Sequence, residues 1–437
     1  MTAPPTGRND RDFAAYREFT GELRKLATAP LIDGAWTKRV HACLDGTAGA
    51  ELRRLVNLPV RREFGAFFTG SKLAERLLGK VQFSSATDFI YDPAVGAGDL
   101  LLATARRLPL ARSLTETLKT WSGCLAGTDL QPEFIEAAKL RVALLARHRH
   151  GRTAKLPNGW QKFFRFIRTG NGLSQPSLYS RATHLVMNPP FSVSGPLVDC
   201  AWAGGRVSDA ALFMVRALEQ TEPGTCLLAV LPDVLRSGSF QHHWRERVSD
   251  LAEVTSVKRY GVFDESADID VFLLDLKRRQ GELAKVRRWP QPAKRTTGTV
   301  GDFFDVHVGR VVPHRDPETG PKHPYIHPRC VPTWTVMSEF PESRQHAGKV
   351  YKPPFVVIRR TSRPGHPYRA TATVIAGHRP VAVENHLIVC EPKDGKFGIC
   401  RKLMRQLKTK AVNDFLNARI CCRHLTVGAV ESIPFAR

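Results

Sequence analysis

The chain has 437 residues, and its 65 Lys and Arg against 41 Asp and Glu give a formal charge of +24. This length suits two or three domains with their own cores, and the charge points to a polyanionic partner, nucleic acid above all. A membrane is not expected as partner, because no amphipathic basic helix or run of about 18 apolar residues occurs.

The start, MTAPPTGRND, is polar and does not read as a secretory signal. Residues 9 to about 60 read as a helical N-terminal segment, with apolar residues at helical spacing in FAAYREFTGELRKLA and GAELRRLVNL. From about 61 to 280 strands and helices alternate. DFIYD (88–92), LAGTDL (125–130), FRFIRTG (164–170), THLVMN (183–188), CLLAVLP (226–232), EVTSVKRY (253–260) and DIDVFLLDLK (268–277) read as strands. LLATARRL, QPEFIEAAKLRVALLA, LFMVRALEQ and the segment starting DVLRSGSF read as helices. Such alternation predicts an α/β fold with a mostly parallel sheet covered on both faces.

Past 281 the texture changes. RRWPQPAKRTTG is a Pro-rich, basic linker, and the rest, 281–437, has few long helices. This smaller part holds 27 Lys and Arg against 12 acids, whereas residues 1–280 hold 38 against 29. Most of the excess charge therefore lies where a duplex-gripping domain would need it. The nine cysteines are scattered singly apart from Cys421 and Cys422, with no C-x-x-C, and read as reduced thiols of a cytosolic protein.

Two short stretches carry chemistry. DPAVGAGDLL (92–101) follows a strand and opens a helix. Gly96 and Gly98 would let the backbone approach a ligand at the sheet's carboxyl edge, or simply make a tight turn. Asp129, at the tip of the next strand, suits ribose hydroxyls, and it also suits the start of the following helix. The dinucleotide spacing lacks its third glycine and no P-loop is present, so NAD and ATP in their usual settings are not expected. The second stretch is NPPF, Asn188 to Phe191, at the end of the strand THLVM. Prolines donate no backbone hydrogen bond and rigidify the chain. They would fix an amide and an aromatic ring at a strand's carboxyl end, unless the stretch is only a Pro-rich turn.

These residues resemble those of γ-type adenine-N6 DNA methyltransferases, which use S-adenosylmethionine and include modification subunits of type I restriction systems. FGAFFTGSKLAERLL (64–78) is similar to the cofactor-capping motif, DPAVGAGDLL to the cofactor loop and NPPF to the catalytic loop. VLRSGSF and YGVFDESADIDVFLLDLK resemble later motifs. The resemblance spans about residues 60 to 280. It implies a Rossmann-like class I methyltransferase sheet at 61–280, after a helical lead-in and before a mixed α+β target-recognition domain at 281–437. It also implies double-stranded DNA as partner, a possible specificity or restriction subunit, no membrane, and a prokaryotic cytoplasm, near the nucleoid when on DNA.

Carried over residue by residue, the resemblance implies that Phe68, Thr69, Asp92, Pro93, Gly96, Gly98, Asp129, Leu130 and Asn171 bind the cofactor. Asn188, Pro189, Pro190 and Phe191 would be catalytic. The adenine amino group shares its lone pair with the ring and is a poor nucleophile. Acceptors from the Asn188 side chain and the Pro189 carbonyl would hold its hydrogens and free the lone pair. Phe191 and Phe263 would sandwich a base flipped out of the duplex; as a single Phe, Phe263 also reads as a core aromatic. The chain departs from the pattern in having Thr69-Gly70 for Thr-Pro, and Asn171, also an ordinary turn residue, where an acid is usual.

Other readings stay open. N-P-P-aromatic also occurs in methyltransferases of RNA bases and of protein glutamine, and the fold can serve as a non-catalytic DNA-binding subunit. Arg359, Arg360 and Arg363 in IRRTSRPGHPYR are candidate DNA contacts or a solvated basic loop. His323, His327 and Cys330 have loosely metal-like spacing without a fourth ligand, and no metal is expected.

Overall fold

The computed structural model describes residues 13–30, 33–151, 153–196, 200, 202, 206–238, 241–263, 269–280, 289, 298–362, 366–420 and 423–436. Two compact units emerge: Met1–Leu235 with His242–Pro290, and Arg236–Gln241 with Gln291–Arg437.

The first unit is built on seven strands: β1 (Ile90–Asp92), β2 (Leu125–Asp129), β3 (Ile167–Thr169), β4 (His184–Met187), β5 (Cys226–Pro232), β6 (Ala252–Val262) and β7 (Asp270–Arg278). Their order in the sheet is β3-β2-β1-β4-β5-β7-β6. The first five run parallel. β7 then inserts antiparallel between β5 and β6. This is a Rossmann-like, mostly parallel sheet with one antiparallel strand inserted near its edge. Its central strands read as unbroken apolar runs because helices cover both faces, and Leu227 to Leu231 are almost fully buried.

FRFIRTG forms a strand only at Ile167–Thr169, because the Ile167 N–H turns back to the Phe164 carbonyl and Phe164 packs into the core. A helix not read from the apolar pattern, Leu114–Cys124, opens with a capping box of Ser113 and Glu116.

Among its described residues the lead-in forms a short 3-10 helix, Ala14–Tyr16, and four α-helices, Arg17–Thr28, Gly34–Leu44, Thr47–Leu55 and Leu58–Glu63. They share one core with the sheet: Phe19, Leu23 and Leu26 belong to the same buried cluster as Leu140 and Leu144. The helix Pro132–His150 starts with proline at its first turn, where a missing N–H costs nothing. It is buried almost all round and carries two fully buried arginines, Arg141 and Arg147. Arg147 donates to the carbonyls of Leu26, Ala27 and Ala29 at 3.0, 2.9 and 2.6 Å. It thereby satisfies the last carbonyls of the helix Arg17–Thr28, which have no partner within that helix.

The second unit is a smaller α+β body. A five-stranded sheet runs in the order Phe304–Val308, Leu387–Pro392, Phe355–Arg359, Ala372–Ile375, Val336–Met337, beside a three-stranded one. Two helices, Phe397–Leu407 and Lys410–Arg419, exceed what the irregular sequence suggests; Leu403, Leu407, Val412 and Leu416 are their core-facing residues. Among the described residues no helix is long and apolar enough to cross a membrane.

Replacing Arg147 with Met keeps the apolar stem but takes this donor from the carbonyls of Ala27, Ala29 and Ala154, while Leu26 keeps the indole N–H of Trp36. We expect a loss of about 3 kcal/mol, from charged hydrogen bonds of roughly 1.5–3 kcal/mol each and partial rescue by water. Urea unfolding should show it as a lower midpoint, with proteolysis within the lead-in appearing first.

Candidate active site

A cavity of about 350 Å³ opens where β1 to β4 end, a volume suited to a nucleoside-sized ligand. Each wall follows from a strand end. Pro93, Ala94 and Gly96 come from the turn after β1, and Asp129 and Leu130 from the tip of β2. Asn171 and Gly172 follow β3; Asn188 and Pro190 follow β4. Open α/β sheets bind ligands at this carboxyl edge, beside the point where strand order reverses. Here the reversal falls between β1 and β4. Six phenylalanines, Phe13, Phe64, Phe67, Phe68, Phe134 and Phe213, complete the lining. Only Phe68 among them is legible as a site residue in sequence.

The two glycines of the turn after β1 do different work. At Gly96 (φ +51°) an added Cβ would lie 2.9 Å from the Phe68 ring. Gly98 (φ +85°) opens the helix Asp99–Arg107 and faces the helix Pro132–His150, with an added Cβ 3.0 Å from Ala138. It packs against that helix and is not among the residues lining the cavity. At Gly172 an added Cβ would collide with the Pro93 carbonyl, so the turn after β3 closes directly on the turn after β1.

Asp129 accepts from Gly96 N–H at 3.0 Å and from Gln131 N–H at 2.9 Å. It thus pins the glycine turn and precedes the next helix, while each oxygen keeps a lone pair for a ligand. Burial pushes its carboxyl up to about 6, against the opposing pull of those backbone N–H groups. Asp92 lies deeper, in a narrow cleft with Thr69, Asp99 and Asn188. It accepts from Ala94 N–H at 3.0 Å, and burial raises its pKa well above the carboxylate range. Leu130 is 54% exposed at the cavity rim. The Asn171 oxygen accepts from Leu173 N–H at 2.9 Å, so the turn reading of this residue holds and its acceptor is already engaged.

Asn188 is the focus of the site. Its amide nitrogen donates to the Phe67 carbonyl at 3.3 Å and to Thr69 Oγ1 at 3.1 Å. Because Phe67 offers only a carbonyl, the amide orientation is fixed. Its oxygen is buried and has no hydrogen-bond partner. Burying an unpaired acceptor costs roughly 1–3 kcal/mol, so this atom is poised for a donor that arrives from outside. Two contacts brace the loop. Gly65 (φ +63°) packs on Pro190 so closely that an added Cβ would lie 2.5 Å from the ring. Ser192 Oγ donates to Asp209 at 2.5 Å, at the start of the helix Asp209–Gln220. Pro189 is buried between these elements.

Phe191 and Phe263 meet edge to face, with centroids 5.4 Å apart and planes at 64°. A base stacked on both would need about 7 Å, twice the 3.4 Å rise of stacked bases. In this structure the two rings meet each other, and a base sandwiched between them would first have to part them.

In the second unit, Arg359 ends a strand and donates to the Val331 carbonyl at 3.0 Å; Arg360 donates to the Asn385 carbonyl at 3.3 Å. Both are half-buried and partly engaged, unlike a free basic loop. Arg363 lies outside the described residues. His327, Cys330 and Glu342 bring ligand atoms within 4.8 Å of one another, without His323. His327 Nδ1 accepts from Arg329 N–H, so its Nε2–H donates to Glu342 at 2.9 Å. The cluster is thus closed by its own hydrogen bonds.

No family model matches the chain, and no curated protein matches its sequence. Among solved structures, the type IIL restriction–modification enzyme MmeI in complex with DNA is similar over 90% of this chain and 70% of that one, with a TM-score of 0.54 and 11% identity. A modification subunit of a putative type I restriction enzyme from Vibrio vulnificus YJ016 is similar over 59% of this chain, with a TM-score of 0.40 and 15% identity. A structure of a type I restriction–modification system is similar over 54%, with a TM-score of 0.38 and 20% identity. The chain spans 56% and 47% of the lengths of the latter two. The likeness to MmeI, over nearly all of this chain, is one of fold.

The raised Asp129 carboxyl makes stability pH-dependent. Its folded value of about 6 exceeds the ordinary 3.8, so its contribution is complete below the ordinary value and lost as pH rises through about 6. The full loss is about 3 kcal/mol, at 1.36 kcal/mol per pKa unit. A 13C titration of the Asp129 carboxyl should give a midpoint near 6, and Asp129→Asn should flatten the stability difference between acidic and neutral pH.

Proposed function

We propose that this chain is a site-specific DNA methyltransferase that moves a methyl group from S-adenosylmethionine to the N6 amino group of an adenine turned out of the duplex. The setting would be a prokaryotic restriction–modification or related defence system, in the cytoplasm on DNA, with or without a specificity or restriction subunit. The observation that carries the reading is the buried, unpartnered oxygen of Asn188. It suits a substrate that brings an N–H donor to the end of β4, as an exocyclic amino group does. The fold shared with MmeI, an enzyme solved on DNA, and the charge of +24 support DNA as the substrate class.

The residues of the cavity fit the cofactor. The Asp129 carboxylate would accept from ribose hydroxyls, with the rim side chain of Leu130 covering the nucleoside. Phe68 and Pro93 would bound the glycine turn around the methionine end, with Asp92 behind. The cofactor supplies a methyl group activated by a sulfonium centre.

The protein's part is positioning. Asn188 Oδ1 would accept one amino hydrogen and the Pro189 carbonyl the other. This draws the nitrogen toward tetrahedral geometry and localises its lone pair. Methyl transfer gives an N6-methylammonium, whose proton leaves by the same acceptors to water. Because the acceptors are held by Phe67, Thr69, Gly65 and Ser192, little reorganisation is needed as charge develops.

Asn188→Ala should reduce methylation by at least about a hundredfold, the scale seen for loss of one preorganised polar group, while duplex binding persists. Labelled-methyl transfer to unmodified genomic DNA, followed by sequencing for N6-methyladenine, reads both specificity and activity. Equal loss of binding and transfer would remove the assigned role.

Arg359 and Arg360 together set a second test. If their remaining N–H groups reach phosphates, converting each to Gln should weaken DNA binding and reduce the salt slope by about 0.9 per contact. An unchanged slope would leave them with a role inside the second unit only.

A further inference from the structure

We propose that Thr69 is a positioning residue for Asn188, and that a lock of Gly70, Asp99 and Arg141 holds it there. The inference rests on the methyltransferase reading for its kinetic consequence, but its geometry stands in the free protein.

Thr69 is the N-cap of the helix Gly70–Leu78, yet its side chain makes no capping bond. A threonine at this place ordinarily turns its oxygen to an N–H of the first turn. Here the hydroxyl faces the Asn188 amide at 3.1 Å instead. The helix start is served from another segment: Gly70 N–H donates to Asp99 Oδ2 at 2.6 Å. Asp99 Oδ1 in turn accepts from Arg141 at 2.8 Å. Arg141 is fully buried and also donates to the carbonyls of Ala97 at 2.6 Å and Cys43 at 2.9 Å.

Gly70 makes this arrangement possible. It has φ +70°, which favours glycine, and it supplies the N–H that Asp99 needs. The resembling sequences carry proline after this threonine. Proline could neither adopt that φ nor donate. Rigidity that a proline would build into the turn is here supplied by a buried carboxylate and guanidinium. Freed from capping, Thr69 and the Phe67 carbonyl hold both amide hydrogens of Asn188, and only its oxygen is left to face the cavity.

The test uses the full chain labelled with 15N at asparagine side chains, with the Asn188 amide assigned by its loss in Asn188→Ala. Thr69→Val should move the Asn188 amide proton resonances in the free protein, whereas Thr69→Ser should leave them in place. In single-turnover methyl transfer at saturating cofactor, Thr69→Val should be slower by about tenfold to a hundredfold, the effect of slight misplacement of a reacting group, with Thr69→Ser restoring the rate. Asp99→Asn should move the same resonances. An unmoved Asn188 amide in Thr69→Val, a rate equal to wild type, or a Thr69→Ser variant as slow as Thr69→Val would overturn the proposal. A wild-type chain that methylates no DNA would sink the proposed function, while the amide resonances would still decide the positioning of Asn188.

Discussion

The pair Asp99 and Arg141 joins the segments that shape the cavity. Both are buried, with side-chain exposures of 8% and 1%. Removing two charges from water costs several kcal/mol per ion, and attraction alone need not repay it. The pair persists because its remaining polar atoms are met by backbone. Arg141 reaches the carbonyls of Cys43 in the lead-in and Ala97 in the glycine turn, and Asp99 takes the N–H of Gly70. A uniformly apolar core could pack these segments with equal density. It would not fix which backbone group meets which, and the site depends on that registry.

This constraint explains why the lead-in belongs to the first unit. Its helices supply part of the core that covers the sheet. Gly65 packs on Pro190, and Phe67 and Thr69 hold the Asn188 amide. The cavity is thus closed on one side by residues more than a hundred positions before Asn188. Arg147 performs the same kind of service further out by capping the helix Arg17–Thr28.

What was legible in the sequence is what is local in the chain. The strand ending at Met187 followed by Asn-Pro-Pro, the glycine turn after β1 and the acid at the tip of β2 are each contained within about ten residues, and strand periodicity places them at one edge. The structure gathers Asn188, Asp129, Gly96 and Pro93 there. The rest depends on partners far apart in sequence. Nothing local to Asp99 names Arg141, and nothing local to Gly65 names Pro190. Gly98 adds a demand the spacing does not reveal: its positive φ and the nearness of Ala138 require glycine there for packing. Asn171 was legible both as an amide near β3 and as a turn residue, but which of its atoms the turn uses is settled by the backbone that follows it.

On the proposed reading, the contact between Phe191 and Phe263 bears on how a base would enter. An edge-to-face pair is worth about 0.5–1.5 kcal/mol beyond its buried area. Stacking of a base on an aromatic side chain is worth about 1–3 kcal/mol. Parting the rings therefore costs less than two new faces return, and the surplus offsets part of the cost of unstacking the base. Phe263 follows the end of β6, where Gly261 has φ +110° and a register shift interrupts pairing with β7. Its N–H is bonded to the Ile269 carbonyl at 2.8 Å, so the backbone there stays anchored while the side chain turns. The Asn188 oxygen is buried in the free protein. The acceptor is then desolvated before the substrate arrives, and its interaction with the amino group is strengthened by the low polarity around it.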